Sequence, residues 1–309
     1  MRFLAEAWSG RMPAARLRAL GVAVALVAAA LAAALVAPTA QAQETRSEGQ
    51  QGTLHREQVW RIGHPADEGR SIAAIVFRPP DDAPRPLVVM AHHTSGEASR
   101  NGEPRHGVYQ HAVDWFIERG YVVAVVHRRG YGLSGGERAE RFACRRPSHV
   151  AGGRADAADL GAAIDGLTAQ AFVRRDGVIA VGQSTGGWAV LALAAENHPA
   201  VAGVINFSGG RLGRSGETGQ ICAMDELVRD AAVLGRRART PALWLYSAND
   251  RSFPPVLASR LHQAFVEAGG VAEFVAVREF ERDGHALLPN LRGVPLWEAA
   301  VERFILRFR

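Results

Sequence analysis

The sequence contains no lysine, so all of its 36 basic residues are arginine. They are scattered along the chain rather than grouped in one segment. Proteins that bind nucleic acids usually concentrate their basic side chains on one face or one helix. We therefore expect no nucleic-acid partner.

The chain also lacks charged residues throughout a stretch of 18 residues near its start, at 20–37. Four arginines precede it, and Ala40, Gln41 and Ala42 follow it with small residues at the spacing that signal peptidase requires. We predict a signal peptide at 1–42 and export to the periplasm or secretion, with no membrane contact after cleavage. Because a stretch of 18 residues is within the range that spans a bilayer, an uncleaved N-terminal anchor is the alternative.

Cysteine is nearly absent, since the chain has only Cys144 and Cys222. Both lie in predicted loops, and an even number of cysteines in an exported chain favours a disulfide. The sequence gives no distance between them, so two unpaired thiols are the alternative.

No internal repeat and no linker divide the chain into two cores. Residues 43–54 are polar and lack periodicity, which predicts a flexible lead-in to one folded domain at 55–309. The segment 211–240 has room for only one inserted helix, so we expect no large lid domain. No sequence feature indicates an oligomeric state.

Eight short apolar runs predict β-strands, and longer segments with helical spacing separate them from the third run onward. The strands are expected at 57–62, 72–77, 87–91, 121–127, 178–182, 201–207, 242–247 and 272–280. The helices are expected at 108–119, 154–169, 186–197, 225–236, 256–268 and 297–308. This alternation predicts an α/β fold with a mostly parallel sheet and helices on both faces, beginning with an antiparallel hairpin at one edge.

The stretch AVGQSTGGWA places Ser184 between an apolar run and a helix-forming segment. A sharp turn from strand to helix crowds its central residue, so the positions two before and two after it must carry almost no side chain. Gly182 and Gly186 meet this need. We predict that Ser184 is a nucleophile raised above the end of a strand, the alternative being an ordinary glycine-rich turn.

A serine hydroxyl needs a histidine as base and a carboxylate to orient it, and in this architecture the chain order is serine, acid, histidine. Asp250 follows an apolar strand and is the expected acid, with a turn-forming or capping role as the alternative. Asp225 and Asp283 are less well placed rivals. His285 lies in the polar loop after the last strand and is the expected base, whereas His262 lies within a predicted helix.

The oxyanion of the tetrahedral intermediate needs two N–H donors. We expect the amide of Thr185, after the nucleophile, and the amide of Thr94, in the turn after the third strand, with the amide of His93 as competitor. A metal site at His92 and His93 is the other interpretation of that turn. Adjacent residues on a strand point in opposite directions and chelate poorly, so we expect no metal.

The motifs HHTSG, RRGYGLSGG, GQSTGGW, NFSGGR, AND and DGHALL together resemble the alpha/beta hydrolase superfamily, in its dienelactone-hydrolase-like or prolyl-oligopeptidase-like branch. The likeness covers about 59–309. It implies an eight-stranded sheet, a triad of Ser184, Asp250 and His285, and hydrolysis of an ester or similar acyl bond without a cofactor. Dienelactone hydrolases use a cysteine nucleophile, so the serine here argues against a cyclic dienelactone substrate.

The expected function is therefore cleavage of a small-molecule ester by a carboxylesterase-like serine hydrolase. A serine peptidase of the prolyl-oligopeptidase-like type is the first alternative, and a non-catalytic binding protein on the same fold is the second. Several arginines after the fourth strand, including Arg128, Arg129 and Arg138, favour an anionic substrate if they face it. Simple solvation of these side chains is the other interpretation.

Overall fold

The computed structural model of the protein describes residues 44–64, 67–94, 109–139, 144–145, 147, 149–211, 213–214 and 221–309. Its strands are β1 (Arg46–Glu48), β2 (Gln58–His64), β3 (Asp67–Phe77), β4 (Leu87–Ala91), β5 (Val122–His127), β6 (Val178–Gln183), β7 (Val201–Phe207), β8 (Gly213–Arg214), β9 (Ile221–Cys222), β10 (Ala242–Ser247) and β11 (Ala272–Val277). Its α-helices are α1 (Gln110–Glu118), α2 (His149–Thr168), α3 (Thr185–Glu196), α4 (Met224–Arg237), α5 (Pro255–Glu267) and α6 (Val294–Ile305).

Nine strands form one sheet in the order β1-β2-β3-β5-β4-β6-β7-β10-β11. The pairs from β1 to β5 are antiparallel, and all pairs from β5 through β4 to β11 are parallel. The central strands β4, β5 and β6 are buried at every position, which agrees with their unbroken apolar sequences. The predicted mostly parallel sheet with an antiparallel edge is confirmed.

The sheet has one strand more than the eight that the sequence predicts. The extra strand, β1, lies within the segment 43–54 that the sequence predicts as a flexible lead-in, and it pairs antiparallel with β2. All three of its residues are exposed, so it has no apolar pattern by which the sequence could reveal it. Main-chain pairing and a 2.6 Å contact between Arg61 Nε and Glu48 Oε2 hold it to the edge.

The helices cover both faces of the sheet. Helices α1 and α6 pack on one face, and α2 to α5 pack on the other. Helix α3 lies at the centre, with all residues from Thr185 to Ala195 buried. A helix that is apolar on every side is stable only when it is buried. Helix α3 is such a helix, and it begins directly after β6, with Ser184 between them.

Among the described residues, no helix combines the length and apolar character needed to cross a bilayer. The predicted signal peptide and its anchor alternative concern residues 1–42, which lie outside the described part of the chain. Residues from Gln43 to Arg309 group into one compact unit.

Candidate active site

Ser184 stands alone between β6 and α3, with φ 57° and ψ −120°. A residue other than glycine in this region of backbone space carries strain on the order of 1–3 kcal/mol, which neighbouring contacts must offset. The Ser184 amide donates to the Phe207 carbonyl at 3.0 Å, and its carbonyl accepts from the amides of Trp188 and Gly210, each at 3.0 Å. The chain therefore turns sharply at this serine and is held there on both sides.

The glycines around Ser184 are required by close approach of three elements. A Cβ atom at Gly182 would overlap the Gly186 carbonyl, and one at Gly186 would overlap the Ala91 carbonyl at the end of β4. The glycine pattern thus permits α3 to start against β4 and β6, which brings Ser184 to the carboxyl edge of the parallel strands.

Asp250 and His285 lie within hydrogen-bonding distance, with 3.1 Å between Asp250 Oδ2 and His285 Nδ1. The other carboxylate oxygen, Oδ1, accepts from the amides of Ser252 and Phe253, both at 2.8 Å, and Asp250 is buried. Because an ionised carboxylate only accepts hydrogen bonds, Nδ1 of His285 carries the proton. The Nε2 atom of the neutral ring is then the basic nitrogen.

The two rival carboxylates have other partners. Asp283 Oδ1 accepts from the amide of His285 at 3.0 Å and from the amide of Arg251 at 3.1 Å, so it shapes the loop that carries the histidine. Asp225 pairs with Arg260 at 2.6 Å on the surface. The histidine rival, His262, lies on α5 with its Nε2 atom 3.3 Å from the Ala272 carbonyl.

A series of hydrogen bonds, which the sequence did not reveal, joins the end of β6, next to Ser184, to the loop that carries His285. The Gln183 side chain donates to the His285 carbonyl at 2.6 Å and accepts from the Tyr109 hydroxyl at 2.9 Å. That hydroxyl accepts from the amide of His93 at 3.1 Å and contacts His93 Nδ1 at 2.8 Å. Tyr109 is buried, and burial raises its pKa. The Tyr109 hydroxyl thus connects the loop after β4 to the end of β6 and, through Gln183, to the loop after β11.

Replacing Tyr109 with phenylalanine is expected to lower kcat for ester hydrolysis about tenfold and the free energy of unfolding by about 1–3 kcal/mol. The change leaves the Gln183 side chain and the His93 amide without the hydroxyl that orders them. Steady-state kinetics and urea denaturation measure the two effects. The control is Tyr121→Phe, because the Tyr121 hydroxyl contacts Arg309 at 3.5 Å and, among the described residues, no part of the site loops. Equal kcat values for the two variants would contradict a role of this series of hydrogen bonds in the site.

The two threonines predicted to supply the oxyanion donors are brought together. Thr94 Oγ1 and Thr185 Oγ1 are 2.8 Å apart, and Thr185 is the first residue of α3. The competing amide, that of His93, donates to Tyr109 and is therefore engaged within the protein. For the turn after β4, the engagement of the His93 amide favours the Thr94 amide as the proposed oxyanion donor.

His92 is engaged through both ring nitrogens. Its Nδ1 atom contacts the His93 carbonyl at 2.8 Å, and its Nε2 atom accepts from the Arg128 amide at 3.3 Å. Burial, and then the charge of Arg128, hold the pKa of His92 well below its ordinary value. Within the described residues, no cluster of histidine, cysteine, aspartate and glutamate is arranged to hold a metal ion.

The arginines after β5 are not simply solvated. Arg128 pairs with Asp156 at 2.8 Å and Arg129 with Asp159 at 2.7 Å, and both carboxylates are buried on α2. Arg138 lies over the Tyr131 ring, 4.1 Å from its centroid. The sequence suggests substrate or solvent as partners of Arg128 and Arg129, whereas in the structure both form ion pairs with carboxylates of helix α2.

Cys144 and Cys222 are joined in the structure, with their Cα atoms 5.4 Å apart. The bond links the segment before α2 to strand β9, across 78 positions of sequence.

Comparison with known proteins agrees with this architecture. The model of the X-Pro dipeptidyl-peptidase (S15) family matches residues 68–217. A comparison with curated proteins finds no match to the sequence.

Solved structures share the fold at low sequence identity. A cold-adapted esterase from an Arctic intertidal metagenomic library has a TM-score of 0.59 and 17% identity, over 86% of this chain and 99% of its own. For an acetyl xylan esterase from Paenibacillus sp. R4 these values are 0.58, 15%, 86% and 89%. For Est1E from Butyrivibrio proteoclasticus with bound ferulic acid they are 0.55, 18%, 80% and 98%. Together with the sheet order and the sharp turn at Ser184, these likenesses show that the chain has the alpha/beta hydrolase fold.

Proposed function

We propose that this protein is a serine hydrolase that cleaves a small-molecule ester through an acyl-enzyme on Ser184. The observation that carries the proposal is the hydrogen bond between His285 and the buried Asp250. The loop of His285 is held beside Ser184, because the Gln183 side chain donates to the His285 carbonyl and Gln183 directly precedes Ser184. This arrangement supplies a nucleophile, a base and an orienting acid at one edge of the sheet.

In the proposed mechanism, His285 Nε2 takes the proton of the Ser184 hydroxyl as its oxygen attacks the ester carbonyl. Asp250 fixes the tautomer of the ring and stabilises its charged form. The amides of Thr94 and Thr185 donate to the oxyanion of the tetrahedral intermediate. The intermediate expels the alcohol, which takes the proton from His285. Water then attacks the acyl-enzyme with His285 as base, releasing the acid and restoring Ser184.

The structural neighbours support ester cleavage over the alternatives. The three compared structures are an esterase, an acetyl xylan esterase, and Est1E with ferulic acid bound, whereas the matching family is one of peptidases. Both activities proceed through an acyl-enzyme, so the peptidase alternative remains a second candidate on the strength of that match. The presence of nucleophile, acid and base argues against a non-catalytic binding protein.

Export is part of the proposal. The charged residues, apolar stretch and small residues within 1–42 favour a cleaved signal peptide, and the Cys144–Cys222 bond fits an oxidising compartment outside the cytosol. The mature enzyme would then be a periplasmic or secreted hydrolase of one domain.

A substrate panel tests the proposed activity. The mature protein is assayed with p-nitrophenyl esters of increasing acyl length and with aminoacyl and X-Pro p-nitroanilides. We expect kcat/KM for the best ester to exceed that for every anilide. Faster turnover of an anilide would reassign the protein as a peptidase. No turnover of either set, with no reaction with a fluorophosphonate probe, would favour the binding-protein alternative.

A further inference from the structure

Arg128 is a charged side chain with no exposure to solvent, located directly after β5. Since β5 lies beside β4 in the sheet, the arginine reaches the turn that follows β4. Its Nη1 atom donates to Asp156 Oδ2 on α2 at 2.8 Å. The same carboxylate oxygen accepts from Arg211 Nη1 at 2.7 Å, which fixes it from a second side.

The other end of the guanidinium touches both sides of the proposed oxyanion hole. Arg128 Nη2 donates to the His92 carbonyl, before Thr94, and to Thr185 Oγ1, each at 3.0 Å. Thr185 Oγ1 also shares a hydrogen bond with Thr94 Oγ1 at 2.8 Å, so one hydroxyl joins the guanidinium to Thr94. A single planar group thus links the turn after β4 to the first residue of α3.

We propose that Arg128 is a positioning residue that sets the separation of the Thr94 and Thr185 amides, and so builds the oxyanion hole. This inference rests on the proposed function. The two amides belong to segments far apart in sequence, and the hydrogen-bonded series from Asp156 through Arg128 to the two threonine hydroxyls connects them. A donor pair aimed in advance at the developing charge is what makes an oxyanion hole effective.

The charge of Arg128 acts in the same direction. It helps to lower the pKa of His92 and of His93, after burial in both cases, so its positive potential reaches the turn after β4. A negative charge that develops between Thr94 and Thr185 is stabilised by that potential, and the burial of the guanidinium strengthens the effect.

Arg129 provides a matched comparison, because it neighbours Arg128 and also pairs with a buried carboxylate of α2. It contacts Asp159 at 2.7 Å and donates to the Ala155 carbonyl at 2.9 Å. These partners belong to α2 and not to the oxyanion loops. Changes at Arg129 therefore report the cost of disturbing an ion pair with α2, without disturbing the oxyanion donors.

The experiment compares Arg128→Lys and Arg128→Gln with Arg129→Lys and Arg129→Gln. Lysine keeps the charge but has no planar fork to donate to Asp156, His92 and Thr185 together. We expect kcat to fall about 10-fold in Arg128→Lys and about 100-fold in Arg128→Gln, with KM within about twofold of wild type. The affinity for an aryl trifluoromethyl ketone, which forms an oxyanion on Ser184, should fall by the same factors. Both Arg129 variants should keep kcat within about threefold, whatever their melting temperature.

Two results would overturn the inference. One is an Arg128 variant that loses thermal stability as its Arg129 counterpart does but keeps its kcat and its affinity for the ketone. The other applies if the Arg128 variants do not fold. Thr185→Val removes the hydroxyl that joins Arg128 to Thr94, whereas Thr185→Ser keeps it. Equal kcat values for these two variants would show that this hydrogen-bonded link does not affect the oxyanion hole.

The outcome is separable from that of the proposed function. A wild-type protein that neither cleaves esters nor reacts with the probe ends the proposed function without any variant. An active wild type with normal Arg128 variants ends only the inference about Arg128.

Discussion

Replacing Ser184 with alanine is expected to lower kcat for ester hydrolysis on the order of 10⁴-fold or more, because no acyl-enzyme can form. The backbone should tolerate the change, since φ 57° suits alanine no worse than serine and the amide and carbonyl contacts do not use the hydroxyl. Initial rates with the best p-nitrophenyl ester, alongside far-ultraviolet circular dichroism, measure the loss in a folded protein.

Ser208→Ala is the matched control. Ser208 directly follows the adjacent strand β7, as Ser184 follows β6, and it also has a positive φ, of 49°. We expect its kcat to stay within about threefold of wild type. Retention of wild-type turnover by a folded Ser184→Ala protein would remove Ser184 from the mechanism.

Replacing Asp250 with asparagine is expected to lower kcat on the order of 10³-fold or more, while the fold is kept. Asparagine Oδ1 can still accept from the amides of Ser252 and Phe253, which leaves its NH₂ group facing His285 Nδ1. The ring must then accept at Nδ1 and carry its proton on Nε2, so it has no lone pair with which to deprotonate Ser184. Steady-state kinetics and a thermal melt check the two halves of this prediction.

Asp283→Asn tests whether any carboxylate near His285 has the same effect. Its Oδ1 holds the amides of Arg251 and His285, a role that asparagine Oδ1 can also fill, so we expect kcat within about fivefold of wild type. Similar losses at Asp250 and Asp283 would mean that loop geometry, and not the tautomer of His285, limits the rate.

The sheet could be predicted in detail because its central strands are buried at every position and nearly all of their residues are apolar. Strands β4, β7 and β10 begin and end where the sequence predicts. The predicted start of α2 at residue 154 was late, since α2 begins at His149 and includes Gly152 and Gly153. Both positions require glycine, because Arg211 and Trp188 occupy the space that a side chain at Gly152 or Gly153 would take. Close packing from distant segments leaves no local sequence signal.

The same distinction separates the predicted from the unpredicted parts of the site. Local motifs and their order mark Ser184, Asp250 and His285 as triad candidates. The roles of Gln183, Tyr109 and Arg128 were missed, because each has a partner more than fifty residues away in sequence. Arg128 in particular looks like its neighbour Arg129, and only the fold separates the one that reaches Thr185 from the one that does not.

The most direct test of the account is to label the mature protein with a fluorophosphonate and identify the modified residue by tandem mass spectrometry of its peptides. The account predicts one adduct, on Ser184, with labelling much slower in Asp250→Asn than in wild type. An adduct on another residue, or an active esterase that the probe leaves unmodified, would contradict the claim that Ser184 is the nucleophile activated by His285 and Asp250.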